Sequence, residues 1–223
     1  MEDWIPIGFI ALMFLLVSGI FIAVWLAEKK RTAALEQVAG DLSFTFDPEG
    51  SAILQSRLDH FELFSQGRSK KLTNLMGGET QDVAISIFDY QYTTGGGKNS
   101  TTHKQTVVSI DSASLDLPSF QLRPEHFFHK IGKMFGYQDI NFEEFPEFSK
   151  QYLLRSDQEA AVREIFSAEL TSHLAALAKI CSEGRGQEFI FYRAGKRPKP
   201  GEIQQLMADA FAVYSLLKMD DQA

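Results

Sequence analysis

The stretch 83-VAISIFDYQYTTGGGKNSTTHKQTVVSI-110 decides the fold, because it predicts a β-hairpin around which the rest of the chain is organised. Its β-branched and aromatic residues fit a pleated, half-buried surface, and the run Gly95 to Gly97 supplies the positive φ angles that a reversal needs. A turn centred between Gly96 and Gly97 matches apolar with apolar residues and acid with base. The predicted cross-strand pairs are Ile85 with Val108, Ile87 with Thr106, Tyr90 with His103, and Asp89 with Lys104.

The alternation of the first strand shifts phase at Ile87 and Phe88, two large apolar neighbours whose side chains point to opposite faces of a regular strand. Two interpretations are open at this point. Either the sheet is covered on both sides, or a bulge kinks the strand there.

Residues 5–26 are predicted to form a transmembrane helix, because 22 residues without a charge would make a helix about 33 Å long. Trp4 and Trp25 stand near its ends, where amphipathic rings favour the membrane interface. A cleaved signal peptide fits poorly, since Glu2 and Asp3 precede the run and no small-residue cleavage site follows it. Residues 27–41 are rich in helix formers and predict a helical linker that couples the anchor to the domain.

The flanks of this span predict its orientation. Acidic residues precede it and Lys29, Lys30 and Arg31 follow it, which places the N-terminus outside and the C-terminal domain in the cytoplasm of a cell membrane. The single cysteine, Cys181, is consistent with a reducing compartment, because it can form no intramolecular disulfide.

The composition narrows the class of partner. The formal net charge is −7, which argues against nucleic acid. Nineteen phenylalanines, almost all beyond the membrane span, supply a core for one domain over residues 42–223. With nucleic acid set aside, the expected partners are membrane lipids, which the predicted anchor contacts, and an unknown protein.

The elements around the hairpin predict an α+β fold, a mostly antiparallel sheet with helices packed on it. Further strands are expected at 42–46, 61–67, 72–76, 115–122 and 189–193, with Pro118 marking the fourth as an edge strand. Helices are expected after Ser51, after Pro124 (Phe127, Ile131, Met134 and Phe135 on one face), after a Ser156–Glu159 capping box, after a break at Ser167, and after Pro200, with Phe211 on the buried side of the last.

Catalytic, cofactor-binding and metal-ligating residues are not identified by any motif. A phosphate loop at Lys98 fails, because Tyr92 and Asn99 occupy the positions of its first glycine and its hydroxyl residue. His126 and His129 lack a third ligand at a fixed spacing. Asp89 opposite His103 or Lys104 could orient a general base, although a cross-strand ion pair is the more ordinary role.

Basic residues cluster after the span and beside two predicted strands, and they could face anionic lipid headgroups. The alternative is ordinary solvated loop charge, which the acidic net balance favours. The candidates for lipid contact are Lys29, Lys30, Arg31, Arg68, Lys70 and Lys71, with a second group at Arg193, Lys196, Arg197 and Lys199.

Three strings carry a resemblance to a family: LFSQGRS at 63–69, FDYQYTTG at 88–95 followed by Gly97-Lys98, and LRPE at 122–125. With them the chain resembles a family of uncharacterised bacterial single-pass membrane proteins. The resemblance implies a bacterial inner membrane and brings no assigned activity and no catalytic residues.

The function expected from the sequence is that of a membrane-anchored cytosolic interaction or regulatory module. Two alternatives stay open. One is a membrane-anchored enzyme of unrecognised class, possibly a hydrolase, with its site among Asp89, His103 and neighbouring loop residues. The other is a structural subunit of a membrane complex.

Overall fold

The computed structural model describes residues 4–125 and 139–218, with side chains from residue 12 onward. The first element, α1, is one unbroken helix over Trp4–Asp41. Its 38 residues correspond to a length of about 57 Å at 1.5 Å per residue. The apolar side chains from Leu12 to Leu26 are exposed and belong to a candidate membrane span, whereas Leu35 and Ala39 are buried in the domain. The same helix therefore serves as candidate anchor and as part of the core.

Eight antiparallel strands form one sheet in the order β1-β2-β3-β4-β8-β7-β5-β6, which confirms the predicted α+β class. Short strands stand at both edges, and the long hairpin β3–β4 lies inside. The strands are β1 (Thr45–Asp47), β2 (Arg68–Glu79), β3 (Val83–Thr94), β4 (Thr101–Ser112), β5 (Leu117–Pro124), β6 (Tyr152–Arg155), β7 (Cys181–Gly186) and β8 (Glu188–Tyr192).

Helices cover both faces of this sheet. After α1 they are α2 (Ala52–Arg57), α3 (Glu62–Ser65), α4 (Pro146–Gln151), α5 (Glu159–Ile165), α6 (Ala168–Ala176) and α7 (Ile203–Leu217). Ile87 belongs to the core beneath α1 and α7, and Phe88 belongs to a second core beneath α2 and α3; both side chains are fully buried. Of the two interpretations of this pair, coverage on both sides is thus the right one.

The hairpin is where the sequence places it, but its predicted register is wrong by two residues. Ile85 lies opposite Ile110, Ile87 opposite Val108, Asp89 opposite Thr106, and Tyr90 opposite Gln105. The chain reverses through six residues, 95–100, which include a 3₁₀ turn at Gly97–Asn99, so that the glycines alone do not make the turn. A shift of two residues leaves every side chain on its predicted face.

Several local predictions hold. Ser51 caps α2, since its hydroxyl accepts the backbone N–H of Leu54. The predicted break at Ser167 separates α5 from α6, and its hydroxyl also accepts the backbone N–H of Leu170. The strand expected at 189–193 is β8, and Pro200 opens a 3₁₀ turn that leads into α7.

Other local predictions are wrong. The segment 61–67 contains the helix α3 instead of a strand, and β5 lies inside the sheet between β7 and β6 instead of at its edge. Ser156 does not cap α5, because its hydroxyl accepts the backbone N–H of Gln158 just before that helix. Phe211 is 42% exposed on α7. The helix predicted after Pro124, with His126 and His129, lies outside the described residues.

Candidate functional site

A buried charged cluster joins α1 to the sheet at Asp89. The Asp89 carboxylate receives two parallel hydrogen bonds from Arg31, Nε to Oδ2 at 2.7 Å and Nη2 to Oδ1 at 2.8 Å. Thr106 on β4 donates its hydroxyl to Oδ1 at 2.7 Å, and Asn74 on β2 donates its amide to Oδ2 at 3.1 Å. Planar, bidentate pairs of this kind combine strong charge-assisted hydrogen bonds with a specific geometry.

A second set of charges extends the cluster toward the apolar part of α1. Glu28 accepts two hydrogen bonds from Arg197, each at 2.8 Å, and one from Lys104 at 2.9 Å. The Arg197 guanidinium lowers the pKa of Glu28 from its ordinary value of 4.5 to about 2. Arg31 also donates from Nη1 to the carbonyl oxygen of Pro198 at 2.7 Å. The loop between β8 and α7 is thereby tied to α1.

These contacts, together with the burial of Leu35 and Ala39, hold the inner half of α1 against the sheet. We call Glu28, Arg31, Asp89, Lys104 and Arg197 the helix lock. Arg31 and Asp89 are both largely buried. Separating them is costly, because each charge would remain in a poorly solvated place without a partner of opposite charge. The helix lock therefore fixes the angle and height at which the domain sits on the apolar part of α1.

The same geometry corrects two expectations for Asp89. Its partner is Arg31 of α1, and Lys104 binds Glu28 instead. His103 lies opposite Tyr92 on the other face of the sheet, where its ring stacks on Tyr92 and its Nε2 is 2.8 Å from the Thr94 hydroxyl. Asp89 and His103 thus do not meet, and the catalytic pair on which the enzyme alternative depended does not form.

A second buried carboxylate, Glu183 on β7, lies on that opposite face. Its oxygens accept the backbone N–H groups of Glu62 at 2.6 Å and Leu63 at 3.1 Å, which are the first two amides of α3. The Tyr192 hydroxyl donates to Oε1 at 3.2 Å, and the Arg123 guanidinium stands 3.9 Å away. Glu183 therefore satisfies donors that the start of a helix leaves without partners.

Burial raises the pKa of Glu183 and the pKa of Tyr192, and it raises the pKa of the Cys181 thiol to about 12. A thiol of this kind stays protonated at neutral pH and is a poor nucleophile. An open cleft of about 730 Å³ borders Glu183 between α3, β5 and β7. The cluster at its floor can hold a helix in place, and it offers no activated nucleophile.

Of the six basic residues predicted to face lipid, three lie on α1 and three lie at the start of β2. Lys29 and Lys30 are exposed on α1, and the ammonium group of Lys29 lies 5.2 Å from the ring of Trp25. Arg31 differs from them, because it is held inside the helix lock. Arg68, Lys70 and Lys71 begin β2; Arg68 donates to the carbonyl oxygen of Gly95 and, at 3.1 Å, to the Ser100 hydroxyl, which braces the hairpin loop.

Metal ligands were not predicted. Among residues 4–125 and 139–218, no group of three histidine, cysteine or acidic side chains stands close enough to hold a metal ion. His126 and His129 fall in the gap between these ranges.

The fold and the helix lock define a class: an α+β domain built on the inner half of a long N-terminal helix whose outer half is a candidate membrane span. No protein-family model matches the chain, and no curated protein does. The chain is similar in fold to the crystal structure of the mycobacterial trehalose monomycolate transport factor A, TtfA, with a TM-score of 0.61 and 11% identity. That similarity covers 84% of this chain and 94% of the other, and at this identity it shows the fold alone.

Proposed function

We propose that this protein is a single-pass protein of a bacterial inner membrane whose cytosolic domain acts as a rigidly held interaction or regulatory module. The helix lock carries the proposal. A flexible linker would let a tethered domain sample many positions, whereas α1 runs from the candidate span into the core without a break. A rigid connection is useful to a domain that must meet a partner at a set distance from the bilayer.

The flanking charges support the orientation. Glu2 and Asp3 precede the candidate span, and Lys29 and Lys30 follow it with exposed side chains. Basic residues close to the end of a span favour the cytosolic side. The family resemblance supports a bacterial inner membrane.

The fold comparison is compatible with a protein partner. The solved protein of similar fold is named a trehalose monomycolate transport factor, and a factor of that kind is compatible with an accessory binding role. The proposal therefore assigns the described domain to binding.

Orientation is tested with reporters fused after Ala223. A reporter that works only in the cytosol should be active, and one that works only outside the inner membrane should be silent. Activity of the second reporter alone would reverse the proposed topology.

The role of the domain is tested by exchanging the anchor. Residues 5–26 are replaced by an unrelated apolar single-pass helix, and residues 27–223 are kept so that the helix lock is intact. Both chains are purified from detergent after crosslinking in cells. A partner recovered in proportion with both chains supports a domain-based module. A partner lost with the exchanged anchor indicates a structural subunit held through its membrane helix, and the absence of any such partner from both chains contradicts the module.

A further inference from the structure

The two ends of the sheet carry opposite charge. Three segments lie toward the end from which the apolar part of α1 departs: 66–71 at the start of β2, 94–101 at the hairpin loop, and 193–199 after β8, the last at the level of Thr106. Together they contain eight basic residues and no acidic one. The segments at the far end, 79–83, 111–117 and 186–188, contain five acidic residues, which outnumber the basic residues beside them, Arg57, Arg185 and Lys218. The uneven distribution is hidden by the acidic net charge of the whole chain.

The basic end lies at the level where α1 would enter a bilayer. α1 and β4 run in the same direction, since Glu28 contacts Lys104 and Arg31 contacts Thr106. From Lys104 back to Thr101 the strand extends about 10 Å, whereas from Glu28 back to Trp25 the helix rises only about 4.5 Å. The hairpin loop therefore reaches at least as far as Trp25, whose ring is of the kind that favours the membrane interface.

Two of the eight basic residues are already neutralised inside the domain, because Arg197 binds Glu28 and Arg193 binds Asp209 at 3.0 Å. The other six have no ion-pair partner among the described residues, and most of their side chains are exposed to solvent. We call this set the basic rim: Arg68, Lys70, Lys71, Lys98, Lys196 and Lys199.

We propose that the basic rim binds the anionic headgroups of the bilayer that α1 spans, so that the domain rests on the membrane surface. This deepens the proposed function and rests on its single-pass anchoring. The six charges stand on three separate segments and do not converge on one pocket. Charges distributed in this way fit many separate headgroup phosphates better than one soluble phosphate. Because α1 tethers the domain to the bilayer, the basic rim meets the headgroups at a high effective concentration.

The test uses the full chain in lipid vesicles and a fluorophore on the hairpin loop. Cys181 is 1% exposed, so a thiol introduced by Asn99→Cys can be labelled selectively. Vesicles contain phosphatidylcholine alone or with phosphatidylglycerol, and all carry a quencher attached to headgroups. We expect stronger quenching of the loop label with phosphatidylglycerol, and loss of that increase at high salt, because exposed charges are screened. A label at Thr80→Cys, at the far end, should not respond.

Two charge-reversal variants with the loop label separate the rim from net charge. Lys70→Glu with Lys71→Glu should abolish the increase in quenching, whereas Arg185→Glu with Lys218→Glu changes the net charge equally at the far end and should keep it. Circular dichroism confirms that both variants fold, and the salt experiment on the chain carrying only the label substitution needs no charge reversal.

Three results would overturn the proposal: equal quenching in both kinds of vesicle, an increase that survives reversal of the rim lysines, or an increase abolished by inorganic phosphate at constant ionic strength, which would indicate a soluble anion site. A chain that is washed from the vesicles at alkaline pH would overturn the anchoring itself and is detected before any quenching is measured.

Discussion

Asp89 and Glu183 are carboxylates buried almost equally in one sheet, 3% and 2% exposed, yet the two faces hold them by different means. Asp89 is paired with a cation, Arg31, in two short parallel hydrogen bonds. Glu183 is held mainly by backbone amides of α3, and its nearest cation, Arg123, stays 3.9 Å away. The first arrangement joins segments 58 residues apart and fixes the candidate anchor α1, whereas the second secures one turn of a covering helix. Two equally buried carboxylates can therefore stabilise very different amounts of the fold.

Removal of the Asp89 carboxylate should have the largest effect. Asp89→Ala leaves Arg31 buried without its partner, and loss of one member of a buried pair costs about 3–5 kcal/mol of unfolding free energy. Urea unfolding of the full chain in detergent, followed by near-ultraviolet circular dichroism, measures the change. Asp111→Ala, which breaks a largely exposed pair with Arg57, is the matched control and should cost well under half as much. Equal losses of unfolding free energy in the two variants would mean that the buried Asp89–Arg31 pair stabilises the fold no more than an exposed pair does.

Glu183→Gln should cost less, about 1–3 kcal/mol, because one amide of α3 loses its acceptor while the shape of the side chain is kept. The pH dependence sharpens the contrast. The raised pKa of Glu183 means that the folded state keeps a proton that the unfolded state releases above its ordinary pKa of 4.5, so this group makes stability fall as pH rises from there. The difference between wild type and variant, measured by urea unfolding across pH, should show that slope. A flat difference would mean that Glu183 titrates normally.

Glu28→Gln should cost less again, about 0.2–1 kcal/mol, since the carboxylate and its Lys104 partner are more than one third exposed. Its pH dependence has the opposite sign. With a folded pKa of about 2 against 4.5 when unfolded, the contribution is complete above pH 4.5 and is lost as pH falls toward 2. The same unfolding series covers this window. If Glu28→Gln and wild type lose stability in parallel on acidification, the outer part of the helix lock contributes nothing.

Lys98→Ala should have the smallest effect, within about 0.5 kcal/mol, because the side chain is exposed and belongs to neither buried cluster. Its loop should also bind no nucleotide, since Tyr92 and Asn99 replace the residues that a phosphate loop requires. Titration of the full chain with ATP and GTP in the presence of magnesium checks this. Saturable micromolar binding that disappears in Lys98→Ala would assign the loop a nucleotide site.

Features set by local chemistry could be predicted from the sequence. The Ser51 hydroxyl caps α2, the helical pattern breaks at Ser167, and Pro200 opens the turn into the last helix, because each effect depends on neighbours a few residues away. The hairpin was predictable for the same reason. Its register was not, because a slip of two residues preserves both faces and the alternation of apolar residues cannot report it.

Features set by distant contacts could not be predicted. β7 reads CSEGRG, which has no apolar alternation, and it is a strand because β5 and β8 pair with it on both sides. Gly184 leaves room there for the ring of Phe120, a packing relation that only the fold reveals. Asp89 between Phe88 and Tyr90 did signal a buried acid that needs a partner. No local pattern says that the partner stands on α1.

The short strands at the two edges of the sheet limit pairing between the sheets of neighbouring copies. Proteins confined to a membrane meet one another in two dimensions, and an open strand edge would invite chain-to-chain pairing and aggregation. Here β6 closes one edge with four residues, and β1 closes part of the other with three. The part of β2 that β1 leaves uncovered carries Lys70 and Lys71 between two irregularities, at Ser69 and Asn74, which have positive φ. Lysines and local kinks are devices that prevent strand addition, so copies anchored through α1 in one bilayer would not polymerise through their sheets.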